Sequence, residues 1–210
     1  MNGLAVANCE RLPLADESVD MIFTDPPYHT KYLYLYSWLA SEATRVLKPG
    51  GFVLSYSGSL HLNKVIRAFD DAGLTFFWAL VENLPGNKGT FVHERKVLNL
   101  QKPIIAYTKG KGRLRVGGMQ TRFDSVGKMK AYHHWGQDVG TARYYIDHCT
   151  RMGDIVLDPF VGGGTTVVAC ELIGRRCIGF DITLAAVLQS QRRLGGEMLM
   201  HQGSLFGRGE

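Results

Sequence analysis

The sequence lacks the segments that carry a chain out of the cytoplasm or anchor it in a membrane. No cationic apolar leader opens it, and no run approaches the ~20 apolar residues needed to span a bilayer. We therefore expect a cytoplasmic protein that is neither exported nor membrane-spanning.

Cysteine is scarce, and its spacing argues against a metal or redox site. The four cysteines form no Cys-x-x-Cys pair, so structural zinc and a redox dithiol are disfavoured. The better interpretation is a set of buried, reduced thiols in a protein that binds no metal.

Acidic residues are in the minority. The 210 residues include 24 Lys and Arg against 19 Asp and Glu, which gives a net charge of +5 and a pI near 9.0. A modest positive charge suits a polyanionic partner without requiring one. Because 45% of the residues are hydrophobic, the chain is expected to form a single domain over residues 1–210 with a full core.

Apolar runs of strand length alternate with segments of helical periodicity, which predicts a doubly wound α/β sheet. The expected strands cover residues 4–7, 20–23, 52–56, 74–81, 103–107, 155–157 and 177–180. The expected helices cover residues 37–47, 60–72, 139–151, 165–173 and 183–194. A turn is expected at residues 48–51, and the glycine-rich tail from Gly195 is expected to be loose.

Two short motifs carry the chemistry. Asp25-Pro26-Pro27-Tyr28 follows the second strand, where the prolines stop the strand and hold a carboxylate beside an aromatic ring. The second motif, Asp158-Pro159-Phe160-Val161-Gly162-Gly163-Gly164-Thr165-Thr166, joins a buried strand to a helix, where backbone N–H groups can approach a ligand. Val167 breaks the dinucleotide fingerprint, and no Gly-Lys-Ser/Thr follows, so neither a nicotinamide site nor a Walker loop fits.

Both motifs resemble those of the S-adenosylmethionine-dependent amino-methyltransferases that modify exocyclic nitrogens in DNA. The catalytic motif precedes the cofactor motif, which is the order of the β group of these enzymes, and the resemblance covers nearly the whole chain. It implies a doubly wound, mostly parallel, seven-stranded methyltransferase (Rossmann-like) sheet. If residues 4–7 lie beside residues 177–180, that sheet is circularly permuted.

The resemblance also implies roles for individual residues. The Asp25 carboxylate and the Pro26 carbonyl would accept the hydrogens of the target amine, with Pro27 completing the rigid turn and Tyr28 stacking on a flipped base. The residues expected to bind S-adenosylmethionine are Asn8, Asp25, His134, Gln137, Asp158, Phe160, Gly162, Gly163, Gly164, Thr165, Thr166 and Asp181.

Some of these positions depart from the family's pattern. Asn8 stands where the family usually has an acid that helps to hold the adenine. Only His134 and Gln137 match the family's His-Pro-Thr-Gln-Lys motif near the methionine end of the cofactor. Asp181 suits the ribose hydroxyls, although an Asp that ends a strand is often a helix N-cap. His29 and His61 are interpreted as ordinary polar surface residues.

A basic, glycine-rich loop at residues 109–135 is the expected target-recognition region. Its cations are Lys109, Lys111, Arg113, Arg115, Arg122, Lys128 and Lys130. Such a segment suits phosphate contacts and a short or degenerate recognition sequence, and the alternative is a solvated, disordered loop. The expected partner is double-stranded DNA, and the question of a homodimer is left open.

The leading hypothesis is methylation of adenine at N6, because Asp rather than Ser precedes Pro-Pro-Tyr. The alternatives are a cytosine-N4 DNA methyltransferase, an RNA methyltransferase, and a catalytically silent DNA-binding subunit of the same fold. The intact Asp25-Pro26-Pro27-Tyr28 motif and glycine loop argue against the silent subunit.

Overall fold

A computed structural model describes residues 2–7, 12–84, 89–125 and 138–206, with side chains as far as residue 195. Its strands are β1 (Gly3–Val6), β2 (Val19–Thr24), β3 (Leu47–Tyr56), β4 (Thr75–Asn83), β5 (Thr90–Val92), β6 (Val97–Asn99), β7 (Gln101–Thr108), β8 (Arg122–Asp124), β9 (Ile155–Asp158) and β10 (Arg176–Asp181). Its α-helices are α1 (Tyr34–Val46), α2 (Leu62–Asp71), α3 (Val139–Cys149), α4 (Thr165–Leu172) and α5 (Leu184–Phe206). Short 3₁₀ turns precede α1 and α2.

The described residues form an eight-stranded sheet in the order β1-β10-β9-β2-β3-β7-β4-β8. Only β7 runs antiparallel to its neighbours, so the prediction of a mostly parallel α/β sheet is confirmed. The seven-stranded prediction omits β8, which lies inside the expected loop. Phe123 packs against the core between two charged, exposed residues, and this local alternation lets β8 pair with the end of β4.

Helices cover both faces of the sheet, which explains why its central strands are apolar without interruption. Along β3, Phe52 and Leu54 join the core cluster that contains residues of α3 and α4. Val53, between them, joins the opposite cluster with residues of α1 and α2. Buried on both sides, the central strands fix the position of the loops at their carboxyl ends.

The first strand lies beside the last one. β1 pairs in parallel with β10, with Gly3 opposite Ile178 and Val6 opposite Asp181. This is the adjacency that a circularly permuted methyltransferase sheet requires. The permutation itself stays a prediction.

Two local expectations are corrected, and the structure adds a hairpin that was not predicted. Residues 48–51 belong to β3, where they bulge because Leu47 pairs with Val19 and Phe52 pairs with Met21. The polar insert between β4 and β7 contains a hairpin, β5–β6. Helix α5 continues through Gly195 to Phe206, because a glycine costs a helix only about 1 kcal/mol and does not end it. None of the described helices is long and apolar enough to cross a membrane.

Gly179 of β10 tests how tightly the first strand is packed. A Cβ at this position would lie 2.6 Å from Leu4 Cδ2 and 2.8 Å from Val161 Cγ2. We expect Gly179→Val to lower the free energy of unfolding by about 1–3 kcal/mol, as measured by urea denaturation. Gly3→Ala is the matched control, because a Cβ at Gly3 has no neighbour within 4 Å. Equal stability of the two variants would contradict this packing.

Candidate active site

The two motifs meet at the carboxyl ends of the adjacent parallel strands β2, β9 and β10. Asp25 follows β2, Asp158 ends β9 and Asp181 ends β10. In doubly wound α/β proteins, ligands usually bind at the carboxyl ends of the parallel strands. Three carboxylates that are far apart in sequence are therefore gathered at one edge.

Asp158 is buried and joins the motifs to each other. Its Oδ1 accepts hydrogen bonds from the Thr24 hydroxyl (2.7 Å) and the Phe160 amide (3.1 Å), and its Oδ2 accepts one from the Thr166 hydroxyl (2.6 Å). Burial raises the pKa of this carboxyl to about 6, although the three hydrogen bonds lower it. The carboxylate thus holds the glycine loop to the residue that precedes Asp25.

Helix α5 supports the glycine loop from the outside. Ser190 Oγ donates to the Gly162 carbonyl (2.9 Å), and Arg193 donates to the Gly163 carbonyl (3.1 Å) and to Thr165 Oγ1 (2.9 Å). Gly164 has φ +78°, and a Cβ there would lie 2.9 Å from Ser190 Cα. Sequence reasoning missed Ser190 and Arg193, because polar residues one turn apart on a helix are typical of a solvated face.

Asp181 holds two backbone amides at the mouth of the loop. Its Oδ2 accepts from the Gly162 amide (3.1 Å), and its Oδ1 accepts from the Thr183 amide and hydroxyl (2.9 Å each). Thr183 in turn accepts from the Ala186 amide (3.3 Å), so Thr183 caps α5. The strand-ending acid is therefore not itself the N-cap, and it remains at the edge where a ribose would lie.

The loop leaves room for an adenosyl ligand. A Cβ built on Gly162 would meet only the Phe160 carbonyl oxygen, at 3.7 Å. The Phe160 ring contacts the edge of Trp38 (centroids 6.0 Å apart), whose buried indole N–H has no partner among the described residues. The open space at Gly162, beside an acid and aromatic rings, fits S-adenosylmethionine, which Asp181 and the partly buried turn at Gly162 and Gly163 would hold.

Asp25 is half-buried and hydrogen-bonded by its own motif. The Tyr28 hydroxyl donates to Asp25 Oδ1, Pro26 is buried and Pro27 is exposed. Tyr28 as a whole is half-buried, but its hydroxyl lies inside the protein. Burial first, and then the Asp25 charge, raise the pKa of that hydroxyl well above its usual value. Tyr28 therefore keeps its proton at neutral pH and remains a donor to the carboxylate.

A buried pair from β3 and β4 lies behind this turn. Tyr56 donates to Glu82 Oε2 (2.6 Å), its ring packs edge-on against Phe23 (5.8 Å), and its carbonyl accepts from the Tyr36 hydroxyl (3.3 Å). Burial raises the pKa of Glu82, and the hydrogen bond from Tyr56 lowers it. Sequence reasoning missed Glu82, since a single acid near the end of a strand carries no signal of burial.

A cavity of about 320 Å³ opens beside Tyr28. A Cβ at Gly58, in its wall, would lie 3.0 Å from Tyr28 Cβ, so a side chain there would displace Tyr28 by a few tenths of an ångström. His29 and His61, interpreted from sequence as ordinary surface, both line it, and His61 Nε2 lies 2.9 Å from Thr30 Oγ1. The β5–β6 hairpin and the start of β7 form another part of the cavity wall. The residues that they contribute are Thr90, Val92, Glu94 and Asn99 of the hairpin and Gln101 and Lys102 of β7.

The basic loop is divided between the two ends of the sheet. β7 runs antiparallel to β3 and ends at Thr108, which pairs with Phe52, and Lys109 then bonds to Gly50 and Gly51 in the first half of β3. Lys109, Lys111, Arg113 and Arg115 therefore lie toward the amino ends of the parallel strands, opposite Asp25. Arg122 lies at the carboxyl end beside Val81 and forms an ion pair with Asp124 (3.1 Å). The first half of the loop is therefore not positioned to close over the active site.

Five predicted site residues lie outside the described part of the chain. They are the nucleic-acid candidates Lys128 and Lys130 and the cofactor candidates Asn8, His134 and Gln137. Asp138, which follows Gln137, accepts a hydrogen bond from the Gly140 amide (2.9 Å) and caps α3.

The chain is similar in sequence to known methyltransferases. Residues 120–192 match the family model described as DNA methylase, and residues 2–55 match a methyltransferase-domain model. The chain is 27% identical to the type II methyltransferase M.HpaI of Haemophilus parainfluenzae, over 88% of this chain and 70% of that protein. It is 25% identical to the type II methyltransferase M.BamHI of Bacillus amyloliquefaciens, over 91% of this chain but only 58% of that protein.

Solved structures share the fold. The M1.HpyAVI–SAM complex aligns with a TM-score of 0.77 at 20% identity, covering 92% of this chain and 99% of that one. The cytosine-N4-specific PvuII DNA methyltransferase aligns at 0.79 and 18% identity, covering 92% and 86%. TTHA0409 from Thermus thermophilus, complexed with S-adenosyl-L-methionine, aligns at 0.76 and 19% identity, covering 94% of each chain. The fold is that of these DNA methyltransferases, and two of these three solved structures contain S-adenosylmethionine.

The open space at Gly162 predicts the outcome of filling it. Gly162→Trp should abolish binding of S-adenosylmethionine measured by calorimetry, because the indole would occupy the space beside the loop. Gly110→Trp is the matched control: it also has positive φ and open space, but it lies at the amino end of the sheet. Normal binding by a folded Gly162→Trp protein would rule out the glycine loop as the cofactor site.

Asp158 predicts a dependence of stability on pH. The pKa rises from 3.8 in the unfolded reference to about 6 in the folded chain, so the folded chain binds more protons between these values. The contribution of Asp158 to the free energy of unfolding therefore falls by about 2 kcal/mol as pH rises from 4 to 6 and becomes level above about pH 7. Asp158→Asn removes this group.

The measurement is urea denaturation of both proteins from pH 4 to pH 8. The free energy of unfolding of wild type should fall relative to that of Asp158→Asn across the window between pH 4 and pH 6. Curves that stay parallel over the whole range would show that this carboxyl is not perturbed.

Proposed function

We propose that this chain, an S-adenosylmethionine-dependent methyltransferase related to the N6/N4 DNA methylases, methylates the exocyclic amine of a base flipped out of double-stranded DNA. The base we propose is adenine, modified at N6. The observation that carries the proposal is the hydrogen bond from Thr24 to Asp158 (2.7 Å), which joins the glycine loop to the turn that bears Asp25. A cofactor site and a carboxylate suited to an amine are thereby held side by side.

The catalytic problem is the weak nucleophilicity of the amine. Its lone pair is delocalised into the base ring, and hydrogen bonds from the amine to the Asp25 carboxylate and the Pro26 carbonyl would localise that lone pair on nitrogen. The same acceptors stabilise the positive charge that develops there. Tyr28 orients the carboxylate through its hydroxyl. S-adenosylmethionine, when bound, supplies an already activated methyl group, so positioning is the main task of the protein.

The cavity beside Tyr28 supports entry of a single base. Its volume of about 320 Å³ lies at the lower end of the range for small-molecule sites. A base reaches it only after leaving the duplex, which costs a few kcal/mol. The wall contributed by Thr90, Asn99 and Gln101 offers polar side chains to the edge of the base.

Cytosine N4 is the second candidate target. The similarity to the cytosine-N4-specific PvuII enzyme favours it, whereas Asp rather than Ser before Pro-Pro-Tyr favours adenine. The names of the relatives M.HpaI and M.BamHI suggest a type II restriction–modification context for either activity.

Asp25→Ala tests the proposal directly. Methyl transfer from labelled S-adenosylmethionine to DNA should fall at least about 100-fold, corresponding to roughly 3 kcal/mol of lost transition-state stabilisation. Cofactor affinity should stay within a few-fold, because Asp25 acts on the amine. Asp71→Ala, which removes an exposed carboxylate from α2, is the control and should leave the rate unchanged.

Nucleoside analysis of the methylated DNA identifies the base. N6-methyladenine is the expected product. If N4-methylcytosine is found instead, the target base is cytosine and not adenine. Methylation of RNA but not DNA, or a fully active Asp25→Ala enzyme, would overturn it.

A further inference from the structure

Three cationic side chains lie on a short irregular segment at the amino end of the sheet, opposite Asp25. Lys111, Arg113 and Arg115 are exposed, while Gly112 and Leu114 between them are partly buried. We call these three cations the basic row. All three cations are therefore accessible to solvent, and a chain of this length spans at most about 13 Å from Lys111 to Arg115.

The backbone of this segment is anchored at both ends. Before the row, the Gly50 amide donates to the Lys109 carbonyl (2.7 Å), and the Lys109 amide donates to the Gly51 carbonyl (3.0 Å). At its far end, the Arg115 amide donates to the His148 carbonyl of α3 (2.7 Å), and Leu114 packs against the core. The row is therefore preorganised, which lowers the entropic cost of binding a ligand.

Three acidic residues at this end of the sheet are paired with other cations. Glu17 pairs with Lys109 (2.9 Å), Asp20 with Lys48 (2.7 Å), and Asp147 with Arg175 (2.7 Å). In the described part of the chain, none of the three row residues forms an ion pair. Their charges are exposed to solvent.

We propose that the basic row binds the phosphate backbone of a second DNA segment while the first occupies the active site. A duplex strand carries one phosphate per ~3.4 Å of its axis, so the row spans about four phosphates. Arginine forks suit phosphate oxygens. Because duplex DNA stays straight over roughly 150 base pairs, a short duplex at the active site does not reach the opposite end of the same molecule. The partner class rests on the proposed function.

The test compares wild type with the variant Lys111→Ala/Arg113→Ala/Arg115→Ala. Wild type should bind two duplexes of about 20 base pairs per chain in fluorescence titrations, the weaker one without regard to sequence. The triple variant should bind only one duplex, because the affinity of the weaker site should fall roughly tenfold or more at about 0.1 M salt. The salt dependence of that weaker binding should decrease by about three phosphate contacts. Methylation of a short duplex should stay within about twofold of wild type.

The matched control is Lys64→Ala/Arg67→Ala/Arg143→Ala, which removes the same charge from exposed positions on α2 and α3. It should keep both binding sites. The proposal is overturned if the row variant still binds two duplexes, if the control loses the second site equally, or if the site prefers single-stranded RNA to duplex DNA. Absence of methylation by wild type would instead count against the proposed function, because the binding titration does not depend on turnover.

Discussion

The buried carboxylate of Asp158 accepts hydrogen bonds from the chain before Asp25, from the start of the glycine loop and from the first turn of α4. Removing a carboxylate from water is costly, and three donors offset only part of that cost, as its raised pKa shows. This desolvation cost also makes the arrangement specific, because an orientation of the Asp158 carboxylate with fewer hydrogen-bond donors would be less stable. The placement of Asp25 against the cofactor loop depends on this one buried charge.

The fold was largely predictable because the central strands are apolar on both faces and the helices between them are amphipathic. Residues 52–56 and 155–157 both lie within observed strands. The chain segments that depart from prediction have weak local signals. Residues 48–51 contain Pro and Gly, yet they remain in β3 because the bulge directs their backbone groups to Lys109.

The candidate site was predictable at the motifs and not around them. Asp25, Asp158 and Asp181 are recognisable because each follows or ends a short apolar strand. Glu82, Ser190 and Arg193 are not, because their burial arises from elements that are distant in sequence. The location of residues 111–115 was also beyond local reasoning. Charge and glycine content describe a loop's composition, whereas the direction of β7 decides at which end of the sheet that loop emerges.

The pairing of β1 with β10 has a consequence for the order in which the molecule assembles. Gly3 and Ile178 are 175 residues apart in sequence, and the contact of Met21 with Val156 also spans most of the chain. At the usual rate of translation, the amino-terminal strand waits about 10 to 30 s on the ribosome before its partner exists. Until then the edge of β2 that later pairs with β9 has no partner strand. Because this non-local pairing forms late, the nascent chain exposes an unpaired strand edge that can aggregate.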